Sequence, residues 1–244
     1  MDRAIDIPAF ILYSLKEENR KLQVDALKKT IPTLQLVEAI FPKYEKVAFL
    51  QKLISVSKKR TGRALMPAEI GVLLGHRKIW RKIIQSTIDQ EQHVLILESD
   101  SKIAKPDLLE YGFNSFTKNY DIFFWGAWDG HTRLKKSSII YNQDGQAIGE
   151  PLIKSVYCTY GYSLNKRAAA YLLKATGRIN FPVDMYKKHI HQGDLKLGAA
   201  RPEIISAWYN TPSSIQKQNW MEKIKRFCIV QIFDFRNSIQ AYFS

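Results

Sequence analysis

His93-Val94-Leu95-Ile96-Leu97 is an uninterrupted apolar run that stops abruptly at Glu98-Ser99-Asp100-Ser101. A strand without polar alternation is buried on both faces, which requires a sheet covered by helices on either side. The run therefore points to an α/β chain with a mostly parallel sheet. The acidic residues at its carboxyl end fall where such sheets place their ligands. Phe10-Ile11-Leu12-Tyr13, between Pro8 and the charged residues 16–20, reads as a second buried strand passing into a helix, and Leu34-Gln35-Leu36-Val37 as the strand that completes a β-α-β opening.

The remaining elements follow from periodicity and punctuation. Pro67 is expected to start a helix in which Ile70, Leu73, Leu74, Trp80, Ile83 and Ile84 recur at helical spacing, with Glu69 in its first turn. A helix is expected over Asp107–Phe116, then a strand Ile122–Trp125 ending in Gly126-Ala127-Trp128-Asp129-Gly130. A hairpin is expected around Asp144-Gly145, then a strand over Val156–Leu164, a helix capped by Asn165, and a short helix opened by Pro182-Val183-Asp184. The fold class is α/β, a mixed, mostly parallel sheet flanked by helices with antiparallel additions near its end. No internal repeat interrupts it.

Net charge is +14, and its placement matters more than its size. Residues 43–82 carry eleven basic and two acidic side chains, concentrated in Lys58-Lys59-Arg60-Thr61-Gly62-Arg63 and in Arg77, Lys78, Arg81 and Lys82. Such a local field suits phosphates or anionic lipid. No nucleic-acid recognition motif accompanies it, so nucleic acid is not an expected partner. Cys158 and Cys228 cannot form a disulfide framework or a four-thiolate zinc site, and Met1–Asp6 lacks the features of a signal peptide. A cytoplasmic location is expected, peripheral on the inner face of the cytoplasmic membrane.

Missing motifs exclude further classes. There is no Gly-x-Gly-x-x-Gly after the first strand, no Walker loop and no Gly-x-Ser-x-Gly elbow. His189 and His191, near Asp194, are two positions apart and diverge on a helix, which makes a poor metal site. Glu98 and Asp100, by contrast, can bring carboxylates to the mouth of the sheet, where a hard cation such as Mn²⁺ or Mg²⁺ takes oxygen ligands and a nucleotide diphosphate completes the set.

Glu69-Ile70-Gly71-Val72-Leu73-Leu74-Gly75-His76, Trp80 and the strand ending in Glu98-Ser99-Asp100 together resemble glycosyltransferase family 25. That family's pattern is Glu-Ile-Gly, a few apolar residues, Ser-His, Leu-Trp, then a strand ending in Leu-Glu-Asp-Asp. Ile11-Leu12-Tyr13-Ser14-Leu15 with Arg20 resembles its first strand and continuation, Thr159-Tyr160-Gly161-Tyr162 its later Thr-x-x-Tyr strand, and Pro182-Val183-Asp184 its Pro-x-Asp. Two positions depart from the pattern. Gly75 stands for serine, and Ser99 for the middle acid, which raises the alternative of a non-catalytic carbohydrate- or nucleotide-sugar-binding descendant.

The resemblance implies a GT-A-like domain over residues 1–212 that transfers a hexose, galactose, from a UDP-sugar to a hydroxyl of a glycan or lipid-linked glycan acceptor with inversion. It implies donor-site roles for Leu15, Arg20, Glu69, His76, Glu98, Ser99, Asp100 and Thr159, with Asp100 and Glu98 as metal ligands. Inversion needs a carboxylate base, for which Asp184 is the first candidate and Asp129 the second. The position of His76 on an apolar helix face also suits a satisfied core histidine. Trp125, Trp128 and Tyr162 are candidates for stacking on sugar rings, Trp128 foremost because it lies in a loop.

Residues 213–244 are expected to form a basic amphipathic helical extension. Ile215, Trp220, Ile224, Phe227 and Cys228 would supply an apolar side, and Lys217, Lys223, Lys225 and Arg226 a basic one. Such a helix either lies on an anionic membrane or packs its apolar side on the catalytic domain.

Overall fold

The computed structural model describes residues 4–42, 46–128, 130–141, 145–208 and 220–244, with side chains in the last segment from residue 230 onward. Strand β1 (Ala9–Tyr13) passes through a 3₁₀ turn, Glu18–Arg20, into helix α1 (Lys21–Thr30), which returns the chain to β2 (Leu34–Glu38), parallel to β1. Helices α2 (Leu50–Thr61) and α3 (Pro67–Gln85) precede β3 (Val94–Glu98), which pairs parallel with the other side of β1. Next come β4 (Ser101–Ile103), α4 (Pro106–Thr117), β5 (Ile122–Gly126) and the hairpin β6 (Ile140–Tyr141) and β7 (Ala147–Gly149). The chain ends with β8 (Gly161–Leu164), α5 (Lys166–Ala175), α6 (Tyr186–His189), β9 (Leu197–Arg201), β10 (Ile205–Ala207) and α7 (Trp220–Tyr242).

Among the described residues the main sheet has eight strands in the order β2-β1-β3-β8-β5-β9-β7-β6, and β4 pairs with β10 in a separate ribbon. Strand β8 lies antiparallel between β3 and β5, so the sheet is mixed, flanked by helices, and GT-A-like. The alternation of side chains along β1 and β3 divides the core in two. Phe10, Leu12, Val94 and Ile96 face α3 and α5, whereas Ile11, Tyr13, Leu95 and Leu97 face α1 and α4. On the second side Phe113 of α4 stacks on Trp125 of β5, ring centroids 5.6 Å apart.

Several boundaries differ from the sequence expectations for local reasons. The strand expected from Val156 begins only at Gly161, because a 3₁₀ turn at Ile153–Ser155 and a left-handed Cys158 (φ 67°) keep the preceding stretch off the ladder. Pro182-Val183-Asp184 forms a turn ahead of α6 and does not itself open the helix. Trp125 and Tyr162 are buried core residues, so sugar stacking is closed to them. Much of the basic cluster is tied to structure: Arg77 donates to Leu173 O and Thr176 Oγ1, and Lys78 to Glu38 O. Lys58, Lys59 and Arg60 lie exposed in the last turn of α2, where the helix dipole favours cations.

Among the described residues no helix is long and apolar enough to cross a membrane. Ile215 and Lys217 lie outside the described residues, as do the side chains of Trp220, Lys223, Ile224, Lys225, Arg226, Phe227 and Cys228.

Gly71 marks the closest approach between α3 and the chain after β2. A Cβ there would stand 2.3 Å from the carbonyl oxygen of Ile40 and 2.8 Å from Pro42 Cδ. At Gly75 the nearest atoms, at 2.6 Å, belong to the Leu12 side chain, which can turn aside. Alanine favours a helix by about 1 kcal/mol over glycine, yet Gly71→Ala is expected to lower stability by about 1–3 kcal/mol in urea unfolding. Gly75→Ala should lose less, and equal stability of Gly71→Ala and the parent would contradict the contact.

Candidate active site

Strands β1 and β3 are adjacent and parallel, so their carboxyl ends open at the same edge of the sheet. The turn after β1 brings Glu17 and Arg20 there, and the turn after β3 brings Glu98, Ser99 and Asp100. Strand β8 runs the other way with Gly161 opposite Leu97, so the residues just before it, including Thr159, reach the same edge. Asp184 arrives from the turn ahead of α6.

Glu98 is the centre of the cluster. Thr159 Oγ1 donates to its Oε1, and His76 Nε2 lies 3.2 Å from the same oxygen. His76 Nδ1 is 2.9 Å from Tyr162 Oη, which also accepts a hydrogen bond from Trp80 Nε1 at 3.0 Å. This order assigns the protons. The indole can only donate, so the buried phenol is satisfied when it accepts from Trp80 and donates to Nδ1. A proton on Nε2 is then directed at Glu98. His76 is thus both a core residue, fully buried, and a support for the site.

Charges in this cluster perturb one another. Burial pushes Glu98 upward, but hydrogen bonds from His76 and Thr159, aided by the field of Arg20, prevail and hold its carboxyl below the ordinary glutamate value. Burial, then the charge of Glu98, lifts Asp100 to about 6 against the pull of Arg20. Burial, then Glu98 and Glu69, lifts Asp184 to about 6. Burial also raises Glu17, against Arg20.

Arg20 Nη1 and Asp184 Oδ1 are among the buried polar atoms that find no hydrogen-bond partner among the described residues. Arg20 Nη1 is 3.4 Å from Asp100 Oδ2, an ion pair, yet this buried atom makes no aligned hydrogen bond. Asp184 Oδ1 is buried with no hydrogen-bond partner among the described residues. A buried guanidinium and a buried carboxyl in this condition suit an anionic ligand and a hydroxyl ligand respectively.

The other expected residues take different places. Glu69 accepts from Met66 N at 2.8 Å at the start of α3 and pairs with Arg63. Leu15 is exposed and lines a cleft of 490 Å³ with Tyr13, Glu18, Lys21 and Asp25, beside the turn carrying Arg20. Ser99 Oγ is 3.4 Å from Glu17 Oε2. Glu17, which sequence reasoning passed over as one charge in a helix start, therefore brings a carboxylate beside the position where the family pattern has its middle acid. Trp128, with φ 57°, lies 5.0 Å from the Tyr157 ring, and Lys187 Nζ donates to Tyr157 Oη. Asp129 lies outside the described residues. His189 is buried with Nε2 2.7 Å from Pro182 O, whereas His191 is exposed. Among the described residues no three His, Cys, Asp or Glu side chains form a ready metal-binding group.

Buried acids and an arginine thus gather at the carboxyl ends of parallel strands, the edge where α/β sheets place their ligands. The family model for glycosyltransferase family 25 (LPS biosynthesis protein) matches residues 7–187, from just before β1 to within α6. The chain belongs to glycosyltransferase family 25. No curated protein matches it.

Asp184 links the site to stability. Its folded pKa of about 6 exceeds the ordinary 3.8, so the stability this group contributes is present below the unfolded value and lost as pH rises through about 6. Asp184→Asn is expected to stabilise the fold by about 1–3 kcal/mol at alkaline pH and to make no difference near pH ~3.5. Denaturant unfolding at both pH values checks this, and an unchanged or lowered stability at pH ~8 would count against a buried, charged Asp184.

Proposed function

We propose that the chain is a metal-dependent inverting hexosyltransferase, moving galactose from UDP-galactose to a hydroxyl of a lipopolysaccharide or related surface glycan. The observation that carries this reading is the carboxyl of Asp184, buried, raised to about 6 and with no hydrogen-bond partner on Oδ1 among the described residues, beside the Glu98–Asp100 cluster. A carboxyl so tuned remains a usable base near neutral pH.

In this reading Arg20 binds the donor diphosphate through Nη1, which pairs with Asp100 without an aligned hydrogen bond. The donor set fits a cation with few protein ligands: Asp100 is the ligand, because Oε1 of Glu98 is already engaged, and phosphate oxygens and water complete the shell. Mn²⁺ or Mg²⁺ would neutralise charge on the leaving diphosphate. Glu98 keeps its proton-free form through His76 and Thr159 and fixes the turn that presents Asp100. Asp184 Oδ1 accepts the proton of the acceptor hydroxyl as that oxygen attacks the sugar carbon. Trp128 and Tyr157 offer aromatic faces to the acceptor ring.

Ser99 and the lack of a three-acid group among the described residues favour a second reading, a non-catalytic nucleotide-sugar-binding protein. Binding and turnover separate the two. Asp100→Asn should weaken Mn²⁺-dependent UDP binding about tenfold or more, ~1.4 kcal/mol, as read by calorimetry. Asp184→Asn should leave UDP binding in place and depress transfer roughly 10²–10⁴-fold. UDP binding with no turnover on any UDP-hexose would select the second reading, and unchanged metal-dependent binding in Asp100→Asn would remove Asp100 as ligand.

A further inference from the structure

Helix α7 is turned inside out. Along its described side chains the residues directed at the protein are polar or small: Asp234 pairs with Arg133 and His131, Ser238 Oγ accepts from Arg133 Nε, and Asn237 and Ala241 are buried. Among the described residues neither amide atom of Asn237 has a hydrogen-bond partner. The opposite side is apolar and exposed, formed by Ile232, Phe233, Phe235, Ile239, Tyr242 and Phe243, with Phe235 71% and Phe243 83% accessible. A surface helix ordinarily does the reverse. Several large apolar side chains on one exposed helix face mark a contact surface.

Charge identifies what covers it. Arg236 is exposed on the same face, and Lys136 Nζ sits 3.8 Å from the Tyr242 ring centroid. Lys154 lines the cavity that also touches Gln240 and Ser244 at the end of the helix. The one acid among the described side chains of α7, Asp234, is turned inward onto Arg133. In a two-fold contact between copies, the same patch would meet itself and crowd these cations together in a chain of net charge +14. An anionic lipid surface neutralises them while taking up the aromatics.

We infer that α7 is an interfacial anchor that lays its Ile232–Phe243 face into the headgroup region of an anionic bilayer. Cations at its rim contact lipid phosphates, and the aromatic rings sit at the boundary with the acyl chains. The anchor does not depend on the transfer reaction, and its test uses neither donor nor acceptor.

The test is co-sedimentation of the full chain with vesicles of phosphatidylethanolamine and phosphatidylglycerol, and with phosphatidylcholine vesicles as comparison. Binding should be strong to the anionic vesicles at low salt, at least about tenfold weaker to neutral ones, and reduced by salt. Phe235→Glu with Ile239→Glu, both on the exposed face, should reduce partition about tenfold or more while the circular dichroism spectrum and thermal unfolding stay unchanged. Arg236→Glu should cut binding to anionic vesicles alone. Absence of binding at low salt, or equal binding by the Phe235→Glu/Ile239→Glu variant, would overturn the inference. So would a dimer in sedimentation velocity that this variant dissociates, since the face would then be covered by a second copy.

Discussion

The site depends on keeping one carboxylate, Glu98, charged at the edge of a hydrophobic core. Removing such a group from water is costly by several kcal/mol unless its oxygens are hydrogen-bonded. The chain meets the requirement with a proton order that begins in the core at Trp80 and passes through Tyr162 and His76 to Glu98, with Thr159 closing the other side. Each participant comes from a different element or a different turn of α3, so the network forms only when α3, β3 and β8 are assembled. Once fixed, the charge of Glu98 helps to set the ionisation of Asp100 and Asp184. Burial is the larger cause of both shifts, and the charge of Glu98 adds to it, so that Asp100 and Asp184 each stand at about 6.

This dependence also explains what could be read from the sequence. The runs of β1, β3 and β5 are long in large apolar residues, and their burial on both faces follows from local composition. Strand β9, Leu197-Gly198-Ala199-Ala200-Arg201, carries little apolar volume because Tyr120 and Phe123 pack directly on Gly198. Its place in the sheet is dictated by neighbours distant in sequence. Helix α2 was equally hidden, since it begins after a left-handed Phe49 with no side-chain cap. The motif residues Glu98, Asp100, His76 and Thr159 could be picked out singly, but their convergence could not. Nor could the role of Glu17, which depends on the turn after β1 folding back to Ser99.

The departures from the family pattern have structural counterparts. A serine at position 75 would press on Leu12, which packs between α3 and the sheet, so glycine there permits this particular Leu12 rotamer. An aspartate at position 99 would add a charge beside Glu17, Glu98 and Asp100, where burial, with the charge of Glu98 added, already raises Glu17 and Asp100. Serine at that position donates to Glu17 in place of repelling it. The turns after β1 and β3 thus both supply acids to the site, Glu17 from the first and Asp100 from the second.

The inward polar face of α7 also reaches the loop bearing Trp128. Asp234 holds His131 and Arg133, and His131 N donates to Trp128 O while its ring lies 5.2 Å from the Trp128 ring. Trp128 in turn packs against Tyr157, two residues before Thr159 on Glu98. Contacts therefore run without a break from the exposed apolar helix to the edge of the acidic cluster. A helix buried by its apolar side would have had a featureless contact with the domain. By turning charged groups inward, α7 fixes a specific orientation of the loop bearing Trp128, because ion pairs and hydrogen bonds have geometry where apolar packing tolerates sliding.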